Sequence, residues 1–192
     1  MSSWKTFTIT FRGKLHEKEN TKCQDSVYGF NSKDIVILAL SDGAGSARLS
    51  HIGSKIVVNT FAGLLKSNFE KFYRDENSHI RIIEQINENF SKKAIKYGVE
   101  PKEFSATLIG LAMKGNQYFF IHIGDGIAAC YGDKLEILSI GVSGEYVNET
   151  IFVNSENINN NQIVIKKGII SDNTQAFILM SDGASKIFYD KK

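Results

Sequence analysis

The sequence predicts an α+β fold in which helices pack against antiparallel sheet, and three observations lead there. Runs of β-branched, aliphatic and aromatic residues fill the chain up to Leu40 and return after Phe104. Between them lie two long stretches with helical spacing of the apolar positions. Glycine-based turn dipeptides separate the later runs at intervals too short for crossover helices, so those strands should neighbour one another in antiparallel fashion. Strands, two helices, then more strands is the order of a layered fold rather than a doubly wound one.

Residues 4–11 alternate, with Phe7, Ile9 and Phe11 on one face and threonines on the other, which predicts an opening strand. Residues 26–30 and 34–40 follow as two more. From 51 to 72 the period changes, and Ile52, Ile56, Phe61, Leu64, Leu65, Phe69 and Phe72 form the stripe of a long amphipathic helix. A second helix spans about 79–97 through Ile83, Ile86, Phe90, Ala94 and Tyr97. Gly98 is placed to end it in the left-handed conformation, and Pro101, the only proline, marks the break. Four strands are then expected in series at 104–113, 117–123, 127–131 and 134–138, an antiparallel meander turned by Gly-Asn, Gly-Asp-Gly and Gly-Asp. From 145 to 170 no pattern persists, and SENINNNQ within it reads as a polar loop before a last strand at 175–180. No linker or internal repeat divides the sequence, so residues 1–192 are expected to form one domain.

At 192 residues and 42% hydrophobic content the chain can bury a sizeable core. Its 23 basic and 21 acidic residues are intermixed, with a net charge of +2, which leaves no electrostatic footprint for nucleic acid or an anionic membrane. No apolar run approaches the roughly eighteen residues that span a bilayer, and MSSWKTFTITF lacks the segments of a signal peptide, so a cytoplasmic location is expected. Cys23 and Cys130 are too few for a disulfide framework or a thiolate metal site.

The chemistry concentrates in three Asp-Gly pairs at the ends of apolar runs: IVILALSDGAGSA, YFFIHIGDG and AFILMSDGAS. They put Asp42, Asp125 and Asp182 at strand ends, where a carboxylate stands at the rim of a sheet beside the core. The following glycine lets the backbone turn and leaves its carbonyl uncovered, which suits a hard cation collecting oxygen ligands. Asp-Gly is also a common turn dipeptide, and for Asp125, between two strand-like runs, closure of a simple hairpin is an equal reading. The near-identical SDGAGS and SDGAS units are harder to obtain from turn chemistry alone.

Taken in order, these motifs resemble the metal-dependent protein phosphatases, the type 2C serine/threonine phosphatases, and especially their compact bacterial members. Cys23-Gln24-Asp25-Ser26 is similar to the family's first acidic motif, and Ser41-Asp42-Gly43-Ala44-Gly45-Ser46 to its DG motif before the first long helix. Phe104-Ser105-Ala106-Thr107-Leu108 resembles its Ser/Thr-rich strand start, Ile123-Gly124-Asp125-Gly126 its GD hairpin, and Leu179-Met180-Ser181-Asp182-Gly183 its second strand-end DG. The resemblance implies an α-β-β-α sandwich of two mainly antiparallel sheets flanked by helices, with two Mn²⁺ or Mg²⁺ ions between the sheets. Asp42 would bridge the ions, the Gly43 carbonyl and Asp182 would complete their shells, Asp25 would hold metal-bound water, and Asp125 would contribute to a third, weaker position. The implied activity is hydrolysis of phosphoserine and phosphothreonine in protein substrates.

Departures from the family pattern define what else is expected. Glu19, Asn20 and Thr21 stand where many members carry a phosphate-holding arginine, which leaves His16, Lys22 or Arg48 as candidates for that task. Ala44 stands where some members have a histidine after DG, and Gln24 where many have glutamate. His122 is expected to be a packed structural histidine. The chain ends ten residues after Asp182, so the family's last helix, Asp-Asn pair and strand are expected to be missing; Asp172-Asn173 reads instead as the turn before the final strand, and Asp190 is not positioned to replace it. The alternative function is a non-catalytic relative that binds a partner or phosphopeptide with an incomplete metal site.

Overall fold

The computed structural model describes residues 4–18, 21–141, 150–156 and 158–188. Among the described residues, eight strands form two antiparallel sheets. The larger contains β1 (Ser26–Asn31), β2 (Val36–Ser41), β3 (Leu108–Lys114), β4 (Gln117–Ile123) and β7 (Ile163–Ile169) in the order β1-β2-β3-β4-β7. The smaller contains β5 (Ile127–Tyr131), β6 (Leu135–Ser139) and β8 (Ala176–Met180) in the order β6-β5-β8. A short helix, α1, covers Lys14–Lys18, and two long ones, α2 (Ser50–Arg74) and α3 (Ser78–Tyr97), lie between β2 and β3. A 3₁₀ turn at Pro101–Phe104 leads into β3, and α4 (Asp182–Phe188) follows β8.

Period-two alternation in the large sheet divides its side chains between two cores. Ile37, Ala39, Leu108, Ala112, Phe119 and Ile121 join Val57, Phe61, Leu65, Phe69, Ile82, Ile86 and Phe90 of the helices in one cluster. Val36, Ile109, Leu111, Met113 and Phe120, the intervening positions, instead meet Ala128, Phe177 and Leu179 of the small sheet. Both faces of the central strands are therefore covered, which is why β3 and β4 read as nearly continuous apolar runs. At the end of α3, Gly98 adopts φ 63°. It donates to the Ile95 carbonyl at 3.3 Å while Val99 donates to that of Ala94 at 3.1 Å, the left-handed stop its sequence predicts.

Four expectations are corrected. Residues 4–11 form no strand, and Phe7, Ile9 and Phe11 are 83%, 55% and 76% exposed. The segment follows β1, with Thr8 against Gly29 and the Asn31 amide on the Trp4 carbonyl, but only Trp4 inserts, packing on Phe177 at 5.8 Å between ring centres. Alternation reveals a period and not which face is buried. The strand expected at 104–113 begins at Leu108, because the proline turn occupies its first residues. The four later strands are not one meander: β3–β4 and β5–β6 are hairpins in different sheets, and Gly124-Asp125-Gly126 carries the chain from one sheet to the other. Finally β7, within the stretch without pattern, pairs along all of β4.

Candidate active site

The register of β1 and β2 places Ser26 opposite Ser41. One residue beyond each strand end come Asp25 and Asp42, so the ladder itself aims two carboxylates at the same spot. Both continue the series that faces the other sheet, in which Leu38 and Leu40 precede Asp42. From the small sheet, β8 ends at Met180 and the chain passes through Ser181 to Asp182. The Ser181 hydroxyl donates to Asp25 Oδ2 at 3.4 Å, across the seam between the sheets.

Three carboxyl groups meet there. Burial, reinforced by the charge and hydrogen bonding of Asp25 and then of Asp182, pushes the Asp42 pKa up to about 9. At neutral pH Asp42 therefore retains a proton that its neighbours share by hydrogen bonding. Its backbone is clamped by Thr107, whose Oγ1 accepts from the Asp42 N–H at 2.9 Å and whose own N–H donates to the Asp42 carbonyl at 2.8 Å. Thr107 is a site residue whose positioning part was not legible beyond its Ser/Thr-rich motif. A Cβ on Gly43 would lie 2.8 Å from both Cβ and carbonyl oxygen of Ser50, so only glycine lets this loop approach the start of α2.

Asp125 is not among the groups that raise the Asp42 pKa. Its carboxylate accepts from the Thr150 hydroxyl at 2.9 Å. The flanking Gly124 and Gly126 take φ of 104° and 109°, and Gly126 packs on the Met180 carbonyl just before Asp182. His122, 1% exposed, locks this crossover from below. The Asp125 carbonyl can only accept, so His122 Nε2 carries the proton donated to it at 3.2 Å, and Nδ1 accepts from the Ser139 hydroxyl at 2.8 Å. Burial holds the His122 pKa down to about 4. The histidine is structural, as its strand position predicts.

Of the basic residues singled out for phosphate, the His16 side chain lies outside the described residues. Arg48 is exposed, with its backbone N–H on Glu103 Oε2 at 3.0 Å. Lys22 is exposed and places Nζ 3.4 Å from Nε2 of His51, a histidine that no sequence motif singles out. Asp172-Asn173 forms a turn before β8, with the Asn173 amide on Asp133 Oδ2 at 2.9 Å, and Asp190 lies outside the described residues.

Half-buried carboxylates of this kind are the donors that hard divalent cations take. Among the described residues, however, no group of three His, Cys, Asp or Glu side chains is arranged to hold a metal ion. The carboxyls lie against one another through the Asp42 hydrogen bonds. The donor chemistry fits a cation.

The family profile described as Protein phosphatase 2C matches residues 12–192. The chain belongs to that family. Comparison with curated proteins found no match. Among solved structures, it resembles the S. agalactiae serine/threonine phosphatase, at 16% identity and a TM-score of 0.60 over 86% of this chain and 75% of that one. The catalytic domain of the serine/threonine protein phosphatase PstP, in complex with two manganese ions, aligns at 17% identity and a TM-score of 0.57, covering 85% and 73%. RsbX in complex with magnesium gives 17% identity and a TM-score of 0.57, covering 85% and 68%. At these identities the likeness is one of fold, and the two-sheet α+β architecture of this protein phosphatase 2C family member is theirs.

Proposed function

We propose that this protein hydrolyses phosphoserine and phosphothreonine in protein substrates, using two Mn²⁺ or Mg²⁺ ions held by Asp25, Asp42, Asp182 and the Gly43 carbonyl, with Asp125 serving a third, weaker position. The observation that carries the reading is the meeting of three carboxyls from two sheets, with Asp25 and Asp182 both hydrogen-bonded to Asp42. Two carboxylates about 4 Å apart repel by roughly 4 kcal/mol at an effective dielectric near 20, and positive charge relieves that repulsion. Bound divalent ions would supply the Lewis acidity that lowers the pKa of water and aligns it with a phosphoryl group. The chain's own contribution is positional. Thr107 fixes the Asp42 backbone and Ser181 orients Asp25 across the seam. Family membership and the manganese and magnesium carried by the PstP and RsbX structures support the same reading.

Hydrolysis of an aryl phosphate or a phosphopeptide is expected to require added Mn²⁺ or Mg²⁺, to stop with chelator, and to fall by at least about a hundredfold in Asp42→Asn. Turnover that persists in chelator would reject the two-ion mechanism. A second reading, a non-catalytic phosphopeptide-binding relative, is favoured by Ala44 and Gln24, which remove a possible proton donor and one acidic group from the edge of the site. Phosphopeptide binding without turnover at saturating Mn²⁺ would select it.

A further inference from the structure

We propose that Lys22, His51 and Lys55 form an anion-reading rim beside the carboxyl trio, and that this rim selects phosphorylated substrates with an acidic side chain close to the phosphorylated residue. The proposal rests on the phosphatase reading for its setting and names the substrate class of that site.

The rim joins two segments far apart in sequence. Lys22 belongs to the extended stretch that leads to Asp25, and its Nζ lies 3.4 Å from Nε2 of His51 in the first turn of α2. Lys55 follows one turn later, and the two lysines add to burial in holding the His51 pKa below its ordinary value. Arg12 brings a guanidinium to the same stretch by donating to the Thr21 carbonyl at 3.5 Å. Among the described residues none of Arg12, Lys22, His51 or Lys55 is in an ion pair.

The setting makes this accumulation of positive charge costly. The first turn of α2 contains no acidic residue, and Leu49 at its N-cap offers no side-chain oxygen. Cations at this end oppose the helix dipole. Ser50, the first residue of the helix, is fully buried, and its hydroxyl has no hydrogen-bond partner. Among the described residues these lysines stand at a positive helix end without an ion-pair partner, and an incoming anion answers their charge.

Distance decides which anion. The stretch containing Lys22 is pinned along the site by the Gln24 amide on the Ala44 carbonyl at 3.5 Å and by the Ser26 and Ser54 hydroxyls at 2.8 Å. Lys22 precedes Asp25 by three residues, so the backbone between them spans at most about 10 Å. That reach covers side chains two or three residues apart on an extended peptide, about 7–10 Å. The rim is thus placed for a carboxylate, or a second phosphate, flanking the group to be hydrolysed.

The test compares two phosphoserine peptides, one flanked by Asp and Glu and its counterpart with Asn and Gln, at saturating Mn²⁺. The native protein should favour the acidic peptide about tenfold in kcat/KM, and the preference should shrink as salt is added. In Lys22→Ala/Lys55→Ala the ratio should fall to near one, and Lys22→Arg should restore most of it in the Lys55 background. Both lysines are exposed, so the variants are expected to fold, which thermal melting checks. Equal kcat/KM for the two peptides in the native protein, or an undiminished preference in the double variant, overturns the rim. If neither peptide is hydrolysed, fluorescence anisotropy separates the two ideas. Tighter binding of the acidic peptide that the double variant loses keeps the rim and removes the catalytic reading, whereas equal binding removes both.

Discussion

His122 is buried and Asp42 half-buried, and the two titratable groups act on stability with opposite sign. His122 has its folded pKa lowered from 6.5 to about 4 by burial. Its contribution is complete above pH 6.5 and is lost as pH falls through 4, because the unfolded chain takes up the proton first. That loss is worth up to about 3 kcal/mol at about 1.4 kcal/mol per pKa unit. His122→Gln keeps a donor for the Asp125 carbonyl and an acceptor for Ser139, so urea unfolding of this variant should show a flatter profile between pH 6.5 and 4. Asp42 has its folded pKa raised from 3.8 to about 9. Its contribution is complete below pH 3.8 and is lost as pH rises toward 9, since the unfolded carboxyl ionises first. In chelator, stability should therefore decline across the neutral range, and either Asp42→Asn or saturating Mn²⁺ should flatten the decline. A native profile in chelator that rises steadily to pH 9 would show that Asp42 is not held protonated.

The elements that carry the site are α2 and the loop before it. Phe61 of α2 is fully buried against Phe119 of β4, with ring centres 6.4 Å apart. Phe61→Ala should cost about 3–5 kcal/mol in denaturant unfolding without changing the metal requirement. Gly43→Ala should do the reverse, disturbing the site more than the core, because its new methyl meets the first residue of α2 beside Asp42; loss of Mn²⁺ affinity in calorimetric titration, with a smaller change in melting, is the expected signature. Both long helices and most strands were legible in the sequence, because a face that is buried must repeat with the period of its element. What escaped was set by partners. β7 carries glycine and two lysines, and its strand character comes from pairing with β4 at a sheet edge. Residues 4–11 alternate well, yet they gain no ladder. Asp42 and Asp182 were legible through the strand-end motifs and Asp25 through the family resemblance, whereas the Lys22–His51 contact, between residues 29 positions apart, left no local signal.

At the scale of the whole molecule, the site is the place where two sheets are tied at one end. Asp25 and Asp42 extend from the large sheet, Asp182 from the small one, and Gly124-Asp125-Gly126 passes between them. Added Mn²⁺ should therefore slow hydrogen exchange at Ser26, Ser41 and Ile127 together, from both sheets, while the distant turn between β3 and β4 is unaffected. Protection confined to one sheet would argue against a shared ion. The same arrangement has a consequence for synthesis. Asp182 follows every strand of both sheets in the described chain, so a ribosome delivers it only after the large sheet and its helices have had time to form. Until then the nascent protein holds Asp25 and Asp42 without Asp182, and the three carboxyls can meet only once β8 has been made.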